Sequence, residues 1–161
     1  MKRRKLLRSG LALSVGLVAG FSNRKAWAAS DAFEVMKTDA EWRELLTPDQ
    51  YAVLREEATE RPFANAYFDN KAEGIYHCAG CDTALFSSET KYQSGTGWPS
   101  FWQPISASAI GTKTDWKLVL PRTEVHCATC GGHLGHVFND GPQPTGLRYC
   151  LNSAALNFAE A

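Results

Sequence analysis

The feature that most constrains how this chain can fold is a pair of short cysteine units, Cys78-Ala-Gly-Cys81 and Cys127-Ala-Thr-Cys130. A CxxC turn can aim two thiolates at one metal ion at about 2.3 Å, and two such turns complete a closed tetrahedral site. Two disulfides are the competing pairing in an oxidising compartment. Bridges across only two intervening residues are strained and constrain little chain, so the spacing favours one structural zinc held by all four thiolates. Such a site leaves no open position for a substrate, and the metal is expected to hold structure only. Residues 82–126 separate the two units, far more than the ~15–20 residues of a simple four-cysteine finger. An insert of that length has room for several strands and a binding loop, so zinc should clamp the ends of a larger sheet.

The chain has five cysteines, and the odd one is Cys150. It sits in Gly146-Leu-Arg-Tyr-Cys-Leu-Asn152. If this is a strand, alternation puts Arg148, Cys150 and Asn152 on one face and Leu147, Tyr149 and Leu151 on the other. The apolar set belongs in the core. The plainer reading of a free cysteine is a small buried hydrophobe, yet here the thiol shares its face with a cation and an amide. A neighbouring Arg148 favours the reactive thiolate. His133-Leu-Gly-His136 begins just after the second cysteine unit. Four cysteines already satisfy one zinc, which leaves these histidines for packing or for acid/base work on a segment the metal holds still. In Ser94-Gly-Thr-Gly-Trp-Pro-Ser-Phe101 and the adjoining Trp102, glycines flank Thr96, the aromatics offer an apolar pocket for a small methyl or thioether group, and Thr96, Trp98 and Phe101 are the expected substrate-binding residues.

Around these motifs, residues 38–58 read as two short helices. Thr38 with Glu41, and Thr47 with Gln50, have capping-box spacing, and Pro48 stands at a first helical position. From Gly74 onward the pattern turns to short β-type runs: Ile75–Cys78, Thr83–Phe86, Trp116–Leu120, Thr123–Cys127, His136–Phe138 and Leu147–Asn152. Gly95–Pro104 and Asp140–Gly146 are loops by composition. The expected result is a mainly β, antiparallel domain with a helical N-terminal cover that carries no chemistry.

Residues 1–28 are different in kind. They hold seven Lys or Arg and no acid, whereas residues 29–161 hold 10 basic and 17 acidic residues. The first segment reads as a cleaved export signal, with Ala26-Trp27-Ala28 at its end. Arg3-Arg4 followed by Leu6-Leu7 points to the twin-arginine route, which carries folded proteins, in preference to a Sec signal. The implied location is the bacterial periplasm. The apolar run Leu11–Phe21 is about half the ~20 residues a spanning helix needs, so no permanent membrane anchor is expected. The acidic remainder, 29–161, offers no electrostatic reason to bind nucleic acid.

Taken in order, Cys78-x-x-Cys81, Ser94-Gly-Thr-Gly-Trp-Pro-Ser-Phe101, Cys127-x-x-Cys130, His133-Leu-Gly-His-Val-Phe138, Asp140-Gly-Pro142 and Arg148-Tyr-Cys-Leu-Asn-Ser153 resemble the methionine-R-sulfoxide reductases, the MsrB family. The resemblance runs from about Trp42 to Phe158. It implies a β-tent of two antiparallel sheets, one structural zinc, and reduction of methionine-R-sulfoxide in oxidised proteins or peptides. Cys150 would attack the sulfoxide sulfur and end as a sulfenic acid. His136 and His133 match the family's acid and oxygen-binding positions, Asn152 and Arg148 would orient that oxygen, and Trp98 would pack on the methyl group. Many members carry a resolving cysteine where this chain has Thr96, so recycling should fall to an external, thioredoxin-like thiol. The rival classes are a zinc module that binds Rab-type GTPases and a nucleic-acid-binding zinc ribbon. Neither needs a free thiol beside two histidines.

Overall fold

The computed structural model describes residues 33–161; the expected export signal, 1–28, lies outside them. Both capping boxes form. In α1 (Asp39–Leu45) the Thr38 hydroxyl accepts from the Glu41 amide while Glu41 accepts from the Thr38 amide, and Thr47 and Gln50 do the same for α2 (Pro48–Glu56). Each box satisfies amide groups that the first turn otherwise leaves open. Trp42, Leu46, Tyr51, Val53 and Leu54 face inward, while Leu45 stays in solvent.

Nine strands follow in two antiparallel sheets. The smaller has the order β2 (Ala84–Ser87), β1 (Gly74–Cys78), β9 (Leu156–Glu160). The larger runs β3 (Lys91–Tyr92), β4 (Ser100–Phe101), β8 (Arg148–Leu151), β7 (His133–Phe138), β6 (Arg122–Cys127), β5 (Ile110–Asp115). Alternation sends Tyr76 and Phe86 from the small sheet against Phe101 and Tyr149 from the large one. The Phe86–Phe101 and Tyr76–Phe101 ring centroids are 4.7 and 5.0 Å apart. Tyr76, Phe86, Leu85, Phe101, Val125, Leu134 and Leu151 are all but inaccessible and form the core.

The structure corrects four expectations. Trp116–Leu120 is not a strand. The strand is the preceding Ile110–Asp115, and 116–120 is the exposed tip of the β5–β6 hairpin. Its apolar content imitates a buried strand, whereas the true strand, rich in Thr and Lys, lies at the edge of the sheet with Thr112–Thr114 exposed to water. Phe101 does not belong to a substrate pocket. It is fully buried in the core, because β4 alternates and gives its other face, Ser100, to Cys150. The loop expected at Gly95–Pro104 therefore contains a short strand, and β9 was not foreseen.

Candidate active site and metal centre

Both cysteine units are hairpin-like turns that need one left-handed residue. Asp82 (φ 60°) follows the first and Gly131 (φ 69°) the second. The Asp82 amide donates to the Cys78 carbonyl and the Gly131 amide to the Cys127 carbonyl, each at 2.9 Å. The four sulfurs lie within 4.8 Å of one another. Sγ–Sγ separations are 3.6 Å for Cys78–Cys130 and 3.5 Å for Cys81–Cys127, close to the ~3.8 Å that a tetrahedral metal with 2.3 Å bonds demands. The donor set fits a metal ion. Since Cys78 ends β1 and Cys127 ends β6, an ion here ties one sheet to the other. The helices roof it: Arg55 donates to the Cys130 carbonyl at 3.2 Å, and Trp42 and Leu54 pack against Gly80.

Cys150 lies elsewhere, on β8 between β4 and β7. Ser100 is its register partner on one side and His136 on the other. Residues opposed in this way have Cβ atoms about 5 Å apart. Gly135, before His136, permits the approach, since a Cβ there would sit 2.1 Å from the Cys150 carbonyl oxygen. Cys150 and His136 open into a pocket of about 110 Å³ with Trp98, Phe138, Arg122, Thr59 and Asn152 on its walls. The Thr96 hydroxyl is 3.8 Å from Cys150 Sγ and bonds to Ser94, which in turn bonds to Ser100. Burial pushes the Cys150 thiol above its ordinary value, and Thr96, Arg148 and Ser100 only partly offset it. Arg148 does favour the ionised form of Cys150 as expected, but its guanidinium is bound by two 2.9 Å hydrogen bonds to Asp140 and stacked on Phe138.

His136 has a partner that the sequence reading missed, Asp115, which is itself held by Arg122. Its Nε2 is 2.8 Å from Asp115 Oδ2, and Arg122 donates to the same oxygen at 2.6 Å. The Lys117 amide, His136 and Arg122 hold the Asp115 carboxyl below its usual range. An ionised carboxylate can only accept, so Nε2 carries the ring proton and Nδ1 is left with the lone pair. Burial lowers the His136 pKa more than Asp115 raises it, so the ring is neutral at neutral pH. His133 stands behind His136, edge to face at 5.4 Å, buried, with Nδ1 3.0 Å from Glu124 Oε1. It backs the pocket and does not line it. Asn152 lines the pocket, but its amide is committed to backbone: Nδ2 donates to the Leu134 carbonyl and Oδ1 accepts from the Glu60 amide, both at 3.1 Å. Glu60 also accepts from Trp98 Nε1 through its carbonyl and from the Ser153 and Ala154 amides through its carboxylate. It fastens the Trp98 wall to the end of β8. Asp115 and Glu60 escaped notice because each lies far in sequence from what it holds. The only local sign was that Asp115 and Arg122 bracket one apolar run.

Comparison with known proteins agrees with this geometry. Residues 46–160 match the SelR domain. The chain is 54% identical to a peptide methionine sulfoxide reductase MsrB of Leptospira interrogans, over 78% of this chain and 96% of that one. It is 56% identical to the MsrB of Thiobacillus denitrificans, over 76% and 92% of the two chains, and 55% identical to that of Methanosarcina barkeri, over 77% and 87%. A pocket lined by a free thiol, a four-cysteine centre and similarity spanning the described domain converge, and the chain belongs to the SelR-domain family of MsrB peptide methionine sulfoxide reductases.

Proposed function

We propose that this chain reduces methionine-R-sulfoxide in oxidised proteins and peptides to methionine, with Cys150 as nucleophile. The observation that carries the proposal is the cross-strand pairing of Cys150 with His136 at one pocket. The pair rests as neutral thiol and neutral imidazole, since burial opposes both charges. The thiol proton passes by way of His136 to the sulfoxide oxygen as Cys150 sulfur attacks the sulfoxide sulfur. The protonated oxygen then passes from methionine sulfur to Cys150 sulfur: the new sulfur–sulfur bond and the methionine S–O bond break, an S–O bond forms on Cys150 as a sulfenic acid, and two electrons pass from cysteine sulfur to methionine sulfur. Asp115 keeps the proton on Nε2 and the ring in place. Trp98 packs on the substrate methyl group. Asn152 and Arg148 shape the oxygen side, the first by pinning β8 and the second by its charge.

The metal read for Cys78, Cys81, Cys127 and Cys130 is zinc, since four thiolates in a closed tetrahedron suit it. Bound there it supplies structural clamping. All five cysteines are then assigned, so the sulfenic acid is cleared by an external thiol. That thiol displaces water to form a mixed disulfide, and a second thiol of a thioredoxin-like donor releases Cys150.

The experiment is reduction of R- and S-methionine sulfoxide, assayed separately with dithiothreitol. Turnover of the R epimer alone is expected; equal turnover of both, or of S alone, overturns the assignment. The composition of residues 1–28 supports export of residues 29–161 by the twin-arginine route. Replacing Arg3-Arg4 by Lys-Lys should keep the protein in the cytoplasmic fraction, and unchanged periplasmic recovery counts against the route.

A further inference from the structure

The β5–β6 hairpin ends in Trp116-Lys-Leu-Val-Leu-Pro121, where Trp116 is 73%, Leu118 59%, Val119 100% and Leu120 76% exposed. Scattered apolar residues on a surface need no explanation, but a contiguous run is rare without a binding duty. A tip this exposed costs solubility and gains nothing from the core.

Two features say what the tip serves. The first is its attachment. Asp115 and Arg122, the residues on either side of it, are register partners and share a 2.6 Å ion pair. Asp115 is also the carboxylate bonded to His136, and Arg122 is itself a wall of the Cys150 pocket. The apolar finger therefore rises from the pocket's rim, on the same two residues that organise the acid/base histidine. The second is its charge. Lys117, within the tip, is paired with Glu57, and Lys113 below it bridges Glu57 and Glu124, each at 3.0 Å. Together these lysines hold the Glu57 carboxyl down at about 2. The cations around the finger are neutralised by acids of the protein, which favours an uncharged apolar ligand over an anionic lipid surface.

We infer that the 116–120 tip is a docking surface for the polypeptide flanking the oxidised methionine, taking apolar side chains of an unfolded protein substrate while the sulfoxide enters the Cys150 pocket. This rests on the reductase reading and adds a preference to it. At about 3.3 Å per extended residue, a few residues bridge from pocket to finger, so a single blocked amino acid is too short to use it. Methionine is apolar and comes from sequence that folded proteins bury, so the neighbours of a sulfoxide exposed by unfolding are themselves apolar on average.

The test is a triple variant, Leu118→Ser, Val119→Ser and Leu120→Ser, whose positions are exposed and lie outside the core. Its kcat/KM is measured on oxidised, unfolded casein and on N-acetyl-methionine-R-sulfoxide amide. The expected result is about a tenfold loss on casein, carried by KM, with the small substrate unchanged. Equal values on casein for variant and parent overturn the inference, as does an equal loss on both substrates, which makes the tip a structural part of the pocket. If the parent reduces neither substrate, it is the reductase reading that fails. A second measurement is independent of turnover. In the Cys150→Ser background, Trp116 emission should shift to the blue on titration with oxidised casein, and the shift should vanish with Trp116→Phe. No shift with casein overturns the inference, and co-sedimentation of the parent, but not the triple variant, with phosphatidylglycerol vesicles transfers the surface to a membrane.

Discussion

The chain holds its five cysteines in two places, and they are built on opposite plans. In the metal centre, four thiols converge from two tight turns and are roofed by both helices. Around Cys150 there is no second thiol within reach; its neighbours are the hydroxyls of Thr96 and Ser100 and the ring of His136. The first site is closed and the second opens into a pocket. The chemistry available to a cysteine is thus decided by what lies within a few ångströms. Surrounding thiolates make it a ligand, while an imidazole and an opening make it a nucleophile.

The largest effect expected of this division is on stability. Cys127→Ser should lose the metal and unfold the domain, because structural zinc in small domains supplies ~10–16 kcal/mol of apparent binding energy. Cys150→Ser should do the converse: turnover falls by at least about a thousandfold, with metal content and melting temperature kept. Metal analysis, thermal melts and the reductase assay on the two variants check the pair. A Cys127→Ser protein that melts like the parent, or a Cys150→Ser protein with appreciable activity, dissolves the contrast.

Moving a thiol across the boundary gives the next effect. Thr96 Oγ1 is 3.8 Å from Cys150 Sγ, within the reach that a disulfide needs after small side-chain adjustment. Thr96→Cys should form a disulfide with Cys150 after one turnover and be recycled faster by a dithiol protein. The parent should instead show a sulfenic acid trapped by dimedone. Mass spectrometry that finds a Cys150 disulfide within the parent would mean that the metal centre lends out a ligand.

The smallest effect is in pH. Burial sets the Cys150 thiol above its ordinary value, so its alkylation by iodoacetamide should keep accelerating past the range where a free thiol has levelled off. Thr96→Val should push that range higher still. The thiol of the unfolded chain ionises first, so the stability contributed by Cys150 is complete below the unfolded pKa and is lost as pH rises through the folded one. Melting temperatures above the ordinary thiol range should therefore fall less steeply for Cys150→Ser. An alkylation plateau below neutral pH would refute the buried, protonated resting state.

Much of this molecule was legible in local spacing. The capping boxes of α1 and α2, the two metal turns and the alternation of Arg148-Tyr-Cys-Leu are all satisfied by residues within four positions of each other, so sequence states them directly. Hydropathy misled at two places for one reason. Trp116–Leu120 is apolar yet exposed, and Phe101 is an aromatic in a pocket-like motif yet belongs to the core. A residue's polarity fixes what environment it prefers, not which neighbour the fold will supply.

The local motifs dictate a four-cysteine turn pair that clamps β-structure and a free thiol on a strand facing polar company, because cysteine spacing and period two are properties of a chain segment; two sheets were implied only by the family resemblance. Only tertiary structure sets Asp115 against His136, Glu60 between Trp98 and Asn152, and an apolar finger at the rim of the pocket. These contacts join residues 21 to 92 positions apart, and no periodicity in a single segment encodes them. Strand pairing in the large sheet lays β5, β6, β7 and β8 side by side and so brings Asp115 to His136, while the loop carrying Glu60 folds over the end of β8 to reach Asn152 and Trp98.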